Sequence, residues 1–426
     1  LRKITSTGTV SEVIEDDIMN RLNYGDSEQT FVTSSNPYNY IWYSGKLWRV
    51  VSIDSSDNSV KLVTQWNISS ISYDDDSSAF EGSYMEMWLN DTTVDGFLGN
   101  LRSPENFIKM DSKWNAKEDG AETALEVESS VGLLNSYEYN AVGNLSSYLN
   151  NSLQWWTLTP NPTGGVITVG INGGMGGNGF SAANGIRPSI NLKSNVKIVD
   201  GDGTVDNPYR LNGDNDTNLS GTLLNARYSG EYIRFGNDEN NLYRIVSHET
   251  DGLTKVTSAE PLKSSSTFIK SVFGSNATFS STNIIGTFLN GEYLTNYVDS
   301  IYSNMIEDST TWYLGVVGNR VSYKLAKYKD NSMSSYATST EAKVGLLRYG
   351  ELMAGQFDIR GNNSDYWTLS PAGTVNTWFA EPSGSIKDAY GTSVTRGIYP
   401  SLNLKSNVII TDGDGTLQNP FQIALE

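Results

Sequence analysis

The sequence predicts a strand-dominated α+β fold made of two tandem homologous domains, residues 1–212 and 213–426. Two observations lead to this expectation. The second half of the chain repeats the motifs of the first half in the same order, which is the signature of a duplicated domain. Between these motifs lie short runs of β-branched and aromatic residues bounded by turn formers, which are typical of strands. A length of 426 residues gives each copy enough chain to bury its own core.

The repetition is plainest in a segment that occurs once at the middle of the chain and once near its end. Residues 185–211 read GIRPSINLKSNVKIVDGDGTVDNPYRL, and residues 397–423 read GIYPSLNLKSNVIITDGDGTLQNPFQI. Four shorter motifs precede this segment in both halves: LWRVVS and LYRIVS, WLN and FLN, VGLL twice, and WWTLTP and YWTLSP. The spacing between motifs drifts, so we expect the copies to differ by loop insertions. The polar, turn-rich segment 212–220 is the predicted boundary.

Each copy is predicted to contain more strand than helix. Residues 40–53 and 59–64 alternate in polarity and are joined by a Ser-Asp-Asn turn, which indicates paired strands. Residues 156–188 read as further hairpins with Gly-rich turns. Apolar residues at helical spacing predict helices within 12–22, 84–98 and 284–306.

Composition limits where such a protein works and what it contacts. The chain has no cysteine, which excludes disulfides, thiolate metal sites and cysteine nucleophiles. A large secreted chain without cysteine is more typical of bacteria than of animal extracellular proteins, so we expect an extracellular location on a bacterial cell surface or surface appendage. The net charge of −18 repels phosphate backbones, so we expect no nucleic-acid partner. No apolar run is long enough to predict membrane insertion of this chain. Because it begins with Leu1 and not Met, we expect that a leader or anchor has been removed or that the chain is a fragment.

The order of the repeated motifs resembles a known group of sequences. An aromatic-Arg strand, a WLN helix, an LL strand, a WxLxP strand and a GxRP-x-x-N-L end follow one another. This series resembles a family of uncharacterised domains in Firmicute surface and pilin-like proteins, with W-L-R-S-P, then G-V-R-P-A-L-x-L, then D-G-x-G-T-x-x-N-P-Y. The resemblance covers nearly the whole chain, twice, and implies a C-type-lectin-like or sulfatase-modifying-factor-like topology. The chain departs from the pattern at Tyr399, which replaces the Arg187 of the first copy, and at Thr157 and Thr368, where Arg is usual.

Residues that commonly carry catalysis are sparse in this chain. His248 is the single histidine, and it aligns with Ile53 of the first copy, so we expect a packing role for it. The Gly-rich run 164–179 lacks the GK[ST] of a phosphate loop and reads as hairpin turns. We therefore predict no catalytic residues, no cofactor and no enzyme activity.

The DGDGT motif leaves calcium open as an alternative. The candidate metal ligands are the motif aspartates of both copies, Asp200, Asp202, Asp412 and Asp414. A calcium loop needs six or more oxygen ligands, yet a third acid in the first copy, Asp206, is replaced by Gln418 in the second. We expect a tight turn in which Gly supplies a positive φ, with calcium less favoured.

Carboxylates and tryptophans leave further alternatives. Two carboxylates suffice for glycoside cleavage, but Glu138 and Glu351, which align closely, read as surface residues. The nearest approach to the sugar-chelating triplets of C-type lectins, Glu381-Pro382-Ser383, lacks their amide. Tryptophans that align with aromatic residues are predicted core positions, namely Trp48, Trp88, Trp155 and Trp156. Four others have no aromatic counterpart and are the better candidates for contact surfaces: Trp66, Trp114, Trp312 and Trp378.

The candidate binding residues lie where the two copies differ most. Residues 163–184 are Gly-rich and nearly uncharged, whereas residues 374–396 carry charged side chains and a tryptophan. Divergent loops on a shared scaffold are where binding residues concentrate. The candidates are Gly173, Gly174 and Gly176 in the first hairpin, and Trp378, Glu381 and Lys387 in the second.

These observations together predict a non-enzymatic extracellular bacterial surface protein, a structural or adhesive subunit of a pilus-like or filament-forming kind. Its expected partners are further copies of itself, or a glycan or protein on another surface. Two alternatives stay open, a monomeric carbohydrate- or protein-binding module and a carboxylate-dependent hydrolase. Self-association in solution distinguishes the leading hypothesis from a monomeric module.

Overall fold

The computed structural model describes residues 8–14, 18–24, 27–93, 96–212, 219–249, 251–317, 338–354, 364–383 and 385–426. The chain divides into two compact units, Leu1–Asn215 and Asp216–Glu426, called here the first and second unit. Strands exceed helices within the described residues, which confirms the predicted strand-dominated α+β class. In that part of the chain, no helix has both the length and the apolar character needed to cross a membrane.

The first unit is built mainly from short strands. These are β1 (Gly8–Thr9), β2 (Ile18–Tyr24), β3 (Ser27–Val32), β4 (Tyr40–Tyr43), β5 (Lys46–Asp54), β6 (Val60–Thr64), β7 (Ser69–Ser72), β8 (Lys113–Asn115), β9 (Glu126–Glu128), β10 (Val131–Gly132), β11 (Trp155–Pro160), β12 (Val166–Val169), β13 (Met175–Asn178), β14 (Ala183–Ile186), β15 (Ser189–Leu192), β16 (Lys197–Asp200) and β17 (Tyr209–Leu211). The helices are α1 (Val10–Ile14), α2 (Tyr84–Asn90), α3 (Pro104–Phe107) and α4 (Ser136–Ala141), with 3-10 turns at Leu98–Asn100 and Asn144–Ser146.

Two main sheets organise these strands. The larger has the order β1-β16-β17-β4-β5-β6-β15-β10, and the β2–β3 hairpin joins it where β3 pairs with β5. The smaller has the order β13-β12-β11-β14-β7, with β11 and β14 parallel. A separate two-stranded hairpin, β8–β9, lies outside both sheets.

The second unit has a similar set of elements. Its strands are β18 (Tyr232–Arg234), β19 (Leu242–His248), β20 (Thr254–Ser258), β21 (Lys263–Ser264), β22 (Thr267–Phe268), β23 (Lys270–Ser271), β24 (Thr310–Tyr313), β25 (Ser339–Ala342), β26 (Val344–Leu346), β27 (Tyr366–Pro371), β28 (Asn376–Ala380), β29 (Ile386–Tyr390), β30 (Arg396–Gly397), β31 (Pro400–Leu404), β32 (Val408–Asp412) and β33 (Gln422–Leu425). Its helices are α5 (Ile284–Leu289), α6 (Glu292–Asn296) and α7 (Tyr349–Ala354), with 3-10 turns at Leu224–Ala226, Asp238–Asn240 and Ser300–Met305.

The strand orders of the second unit follow those of the first. One sheet runs β18-β19-β20-β31-β26, as β4-β5-β6-β15-β10 does in the first unit. The other runs β23-β30-β27-β28-β29, as β7-β14-β11-β12-β13 does, and again one pair, β27–β30, is parallel. The hairpin β24–β25 corresponds to β8–β9. Equivalent residues of the two units can therefore be assigned strand by strand.

The repeated motifs occupy structural positions. Asn90, at the end of the WLN motif, accepts a hydrogen bond from Val131 N (2.9 Å) and donates one to Val131 O (3.0 Å), so that α2 is tied to β10. Asn290 of the FLN motif does the same with Val344 in the second unit. The tryptophans predicted to be core residues are no more than 1 % exposed: Trp48, Trp88, Trp155 and Trp156.

The helix predictions were correct only in part. The segment 12–22, predicted to be helical, contains the end of α1 and then strand β2. Among the described residues of the segment 84–98, the α-helix is limited to the seven residues of α2. Residues 284–306 form two short helices and a 3-10 turn. Spacing of apolar residues misleads here because short helices that pack on sheets need only one or two turns of amphipathic sequence.

Candidate functional site

Each unit contains a buried Lys–Glu ion pair, and in the first unit this pair lines an open polar cleft. Lys61 on β6 is 6 % exposed and Glu138 on α4 is 2 % exposed. The Lys61 ammonium donates a hydrogen bond to Glu138 Oε1. The second unit places Lys255 and Glu351 in the same way, with Nζ 2.7 Å from Oε1. Charged side chains are almost never buried this deeply unless they are paired.

Local sequence fixes the glutamate at the start of a helix. Asn135 caps α4 by accepting a hydrogen bond from Glu138 N (2.9 Å), and Glu138 Oε2 accepts one from Asn135 N (3.0 Å). This reciprocal arrangement is a capping box. In the second unit, Glu351 Oε2 accepts a hydrogen bond from Arg348 N at 2.8 Å. Each carboxylate is thus held by a backbone N–H as well as by a lysine.

A tryptophan ring covers the lysine in both units. Lys61 Nζ lies 4.9 Å from the ring centroid of Trp114, and Lys255 Nζ lies 5.1 Å from that of Trp312. Trp114 is 1 % exposed and donates from Nε1 to Ser129 O at 2.8 Å, while Trp312 is 2 % exposed. The cation–π geometry adds to the ion pair because the ring face is negative.

Each ring lies flat against a glycine of the VGLL motif. A Cβ on Gly132 would lie 2.4 Å from Trp114, and a Cβ on Gly345 would lie 2.6 Å from Trp312. Both distances are too short for any side chain, so this close approach requires glycine. The repeated VGLL motif is explained by that contact.

The first-unit cleft lies above this pair. It is a cavity of about 360 Å³, and its lining includes Lys61 and Glu138. Four serines and three side-chain amides also line it: Ser52, Ser56, Ser59, Ser112, Gln29, Asn115 and Asn191. Seven of its fifteen lining residues thus carry groups that both donate and accept hydrogen bonds, and seven others are charged.

Two further ion pairs lie at the rim of the first-unit cleft. Lys109 Nζ lies 2.6 Å from Asp57 Oδ2, and Lys113 Nζ lies 3.2 Å from Glu126 Oε2. Partial burial alone would raise the pKa of Asp57, but hydrogen bonds from Lys109 and Ser59 outweigh it and hold the pKa below its usual value. The hydrogen bond to Asp57 raises the pKa of Lys109. All three lysines of the cleft are thus already bound to carboxylates.

The second unit differs from the first around its lysine. Glu249, which corresponds to Asp54, reaches to 3.8 Å from Lys255 Nζ, so this lysine faces two carboxylates. Asp54 instead accepts hydrogen bonds from the backbone N and the hydroxyl of Ser56, at 2.9 and 2.6 Å. One extra methylene in Glu249 accounts for the longer reach.

The cross-strand neighbour of the lysine is also more buried in the second unit. Asn191, opposite Lys61, is half-buried and donates to Ser112 Oγ at 3.0 Å. Asn403, opposite Lys255, is 5 % exposed, and its Oδ1 has no hydrogen-bond partner among the described residues. The same framework thus exposes its asparagine in one unit and covers it in the other.

Several predicted contact residues are buried. Trp378 is 4 % exposed, stacks on Tyr349 with centroids 4.9 Å apart, and donates from Nε1 to Val317 O at 2.7 Å. The expectation that this ring is available to a partner is therefore wrong. Trp114 and Trp312 are wrong as contact surfaces for the same reason, and Trp66 is half-buried. Glu138 and Glu351 are likewise not surface residues.

The other predicted binding residues lie in or beside the two hairpins. Lys387 on β29 forms an ion pair with Glu381 at 2.9 Å. Gly173 and Gly174 form the turn between β12 and β13, where Tyr139 donates to Gly173 O at 3.0 Å. Gly176 lies on the edge strand β13 and is exposed. The structure does not bring either set to the first-unit cleft.

The aspartates proposed as calcium ligands shape two nearly identical turns. Asp202 Oδ1 accepts hydrogen bonds from Thr204 N and Oγ1, at 3.0 and 2.7 Å, and Asp414 does the same with Thr416. Asp200 and Asp412 each accept from the following glycine N–H. Gly203 and Gly415 have φ of +78°, the left-handed region that glycine favours. Each turn also accepts a hydrogen bond from a strand of its unit: Tyr40 N on β4 donates to Gly203 O, and Tyr232 N on β18 donates to Gly415 O.

Another acidic group occurs elsewhere on the first unit. Carboxylate oxygens of Asp74, Asp75 and Asp76 lie within 4.8 Å of one another. Burial raises the pKa of Asp74, and the hydrogen bond from Tyr84 to Asp75 raises the pKa of Tyr84 to about 12. Asp74 is buried, but Asp75 and Asp76 are exposed, and exposed acidic groups are common without a metal.

His248 is half-buried, and both nitrogens of its ring form hydrogen bonds. Its Nε2 donates to Arg227 O, because a carbonyl can only accept, and its Nδ1 then accepts from Thr254 Oγ1 at 3.3 Å. Ile53, its counterpart, is 8 % exposed.

Comparisons with known proteins found no match, whether to a family model, to a curated protein or to a solved structure.

Proposed function

We propose that the chain is a non-enzymatic adhesive protein of a bacterial surface, and that the first-unit cleft binds a small polar ligand presented by another surface. The observation that carries the proposal is the open cleft of about 360 Å³ with a buried, fixed ion pair in its wall. Cavities of this size hold small molecules, and a few fixed polar groups give them specificity.

The ion pair supports binding better than catalysis. A general acid or base must exchange a proton during the reaction. Each carboxylate oxygen of Glu138 instead already accepts a hydrogen bond, Oε1 from Lys61 and Oε2 from Asn135 N, and the side chain is held in one place by both. The same pair recurs in the second unit with different surroundings, as expected for a shared framework element.

The proposal includes the relation between the units. Equivalent strand orders, the repeated Lys–Glu–Trp cluster and the paired DGDGT turns support two homologous domains, near 1–212 and 213–426. A C-type-lectin-like topology and a Firmicute surface origin remain part of the proposal on the motif resemblance alone.

An adhesion assay with a cleft-blocking variant tests this function. Ala124 lines the cleft and is exposed, so Ala124→Trp should fill the opening without disturbing the core. Ala79, exposed and away from the cleft lining, gives the matched control Ala79→Trp. We expect Ala124→Trp to abolish attachment of the full chain to its target cells and Ala79→Trp to leave it unchanged. Equal attachment by both variants would refute a binding role for the cleft.

A second candidate function, self-assembly, rests on the edge strand β13. Gly170 N donates to Gly174 O (2.8 Å), and in an antiparallel ladder only every second residue bonds to the partner strand. The N–H and C=O groups of Met175 and Gly177 therefore point away from β12. This edge carries no charge, whereas the equivalent edge strand β29 carries Lys387 and Asp388. Charged side chains normally protect such edges from pairing with other strands.

Sedimentation of the full chain tests self-assembly. Gly176 has open space around its Cβ position, so Gly176→Lys adds a charge to the edge without a clash. Concentration-dependent oligomers that disappear in Gly176→Lys would support assembly through β13. A chain that is monomeric at all concentrations would exclude it.

A further inference from the structure

We infer that the first-unit cleft takes a neutral, polyhydroxylated ligand, a sugar of one or two rings, and that it disfavours charged ligands. This inference rests on the proposed function, since it assigns a ligand class to the same cleft. It follows from how the charges of the cleft are already paired, from the groups that remain, and from the cavity's size.

The charges of the cleft largely cancel one another. Lys61 is bound to Glu138, Lys109 to Asp57 and Lys113 to Glu126. A ligand carboxylate or phosphate would have to compete with an existing carboxylate for each lysine. An anionic ligand would thus give up as many charge-assisted bonds as it forms.

A cationic ligand is disfavoured for a similar reason. Asp54 already accepts two hydrogen bonds from Ser56, and Asp111 lies exposed at the rim, where water screens its charge. The buried acid of the cleft, Glu138, is neutralised by Lys61. A ligand amine would therefore find no desolvated, unpaired carboxylate among these groups.

The remaining groups match hydroxyls. Serine hydroxyls donate and accept, and the amides of Asn115, Asn191 and Gln29 offer both a carbonyl and an NH₂ group. Sugar hydroxyls also donate and accept, so a ring with several of them can be satisfied at many points of such a wall. An apolar ligand would leave these polar groups unpaired, which costs affinity.

The buried pair provides the anchor for two adjacent hydroxyls. Lys61 Nζ has three N–H donors. One donates to Glu138, and a second side of the ammonium faces the ring of Trp114. A third donor and the spare lone pairs of Glu138 are left for a ligand. One sugar hydroxyl can donate to the carboxylate while its neighbour accepts from the ammonium, and both bonds are charge-assisted in a partly desolvated site.

The second unit lacks this anchor. The Lys255 ammonium faces Glu249 as well as Glu351. Asn403, which corresponds to the cleft residue Asn191, is buried. We therefore assign sugar binding to the first unit only.

Titration of the full chain with a sugar panel tests the inference. The probes are glucose, galactose, mannose, N-acetylglucosamine and their disaccharides, with glucuronate as the anionic analogue and glucosamine as the cationic one. We expect at least one neutral sugar to bind. Its charged analogues should bind at least about tenfold more weakly. Tightest binding of glucuronate or glucosamine would overturn the inference.

Variants locate the binding. Asn191→Ala removes one amide from the wall and should weaken the neutral sugar about tenfold. Lys61→Met/Glu138→Gln removes both charges together, which avoids leaving one charge buried alone, and should abolish binding while near-ultraviolet circular dichroism confirms the fold. Ala79→Trp should bind like the parent. Unchanged binding in the double variant would overturn the inference.

The adhesion assay separates this inference from the proposed function. If Ala124→Trp blocks attachment but no neutral sugar binds or competes, the ligand class is wrong and the adhesive cleft stands. If Ala124→Trp leaves attachment unchanged, the adhesive cleft is wrong as well.

Discussion

The two units hold the same Lys–Glu–Trp cluster in different surroundings. In the first unit Lys61 and Glu138 contribute to the wall of an open cleft, whereas in the second Lys255 also faces Glu249 and its neighbour Asn403 is buried. The cluster makes the same contacts in both units: a lysine on a strand binds a glutamate at a helix start, and a tryptophan ring lies between the lysine and a glycine. The cluster therefore belongs to the shared framework, and the residues around it decide whether it is open to solvent.

The largest expected effect comes from leaving one charge of the cluster unpaired. Lys61→Met and Lys255→Met should each lower the free energy of unfolding of their own unit by about 3–5 kcal/mol, because a buried carboxylate loses its partner. Calorimetry of the full chain should show one transition moving in each variant. The matched double variants, Lys61→Met/Glu138→Gln and Lys255→Met/Glu351→Gln, should recover most of the loss. If only one unit responds, the clusters are not equivalent.

A side chain on the VGLL glycine should have the next largest effect. Gly132→Ala and Gly345→Ala place a Cβ within 2.4 and 2.6 Å of the tryptophan rings, so each should destabilise its unit by about 1–3 kcal/mol. Gly176→Ala has open space at its Cβ and serves as the control, with little change expected. Thermal unfolding measures all three. A tolerated alanine at either VGLL position would show that the ring is free to move.

Exchange of His248 for its counterpart should have a smaller effect. His248→Ile removes the hydrogen bonds to Arg227 O and Thr254 Oγ1, and a half-buried isoleucine takes its place. We expect a loss of about 1 kcal/mol and unchanged ligand binding. The reverse exchange, Ile53→His, puts the same ring into the first unit as the matched control. Loss of binding with an intact fold would indicate a functional histidine.

The smallest expected effect is the pH dependence of the rim pair. The pKa of Asp57 is lowered in the folded state, so its contribution is present above the unfolded pKa of about 3.9 and is lost as pH falls through the folded pKa. Because the pair is about one third exposed, we expect less than about 1 kcal/mol. Asp57→Asn should remove this part of the acid sensitivity from the first unit alone, as followed by urea unfolding between pH 2 and pH 6, roughly the range that brackets this titration. The second unit, which carries Glu307 at the position of Lys109, should not change.

Much of this fold could be predicted from the chain's own repetition. Motif alignment placed Trp48, Trp88, Trp155 and Trp156 in the core, and alternating segments predicted the central strands. The helices were predicted too long because they are one or two turns that pack on sheets, and apolar spacing alone does not mark where such a helix ends.

The cluster was missed, although the sequence held a signal for it. Lys61 and Lys255 occupy equivalent places in two otherwise uncharged strands, as do Glu138 and Glu351 in two helix starts, and identical charges in such places indicate buried partners. Trp114 and Trp312 could not be matched by motif because the segments that follow them, 116–125 and 314–338, differ in length. The charge and the opening of the cleft depend on which side chains at its rim form ion pairs. The spacing of residues along the sequence does not predict those pairs.

The placement of the chain ends in each unit has a mechanical consequence. In the first unit the entering strand β1 and the leaving strand β17 both pair with β16, and in the second unit Gly221 and Leu223 pair with β32 while β33 leaves beside it. In each unit the entering and the leaving segments are both antiparallel to the middle strand, so outward pulls on them act in opposite directions along it. Tension applied to the chain would therefore slide the flanking strands along it and load all the ladder bonds at once, in shear, instead of opening them one by one. A unit built in this way should resist a pull along the chain better than one whose ladder bonds open singly.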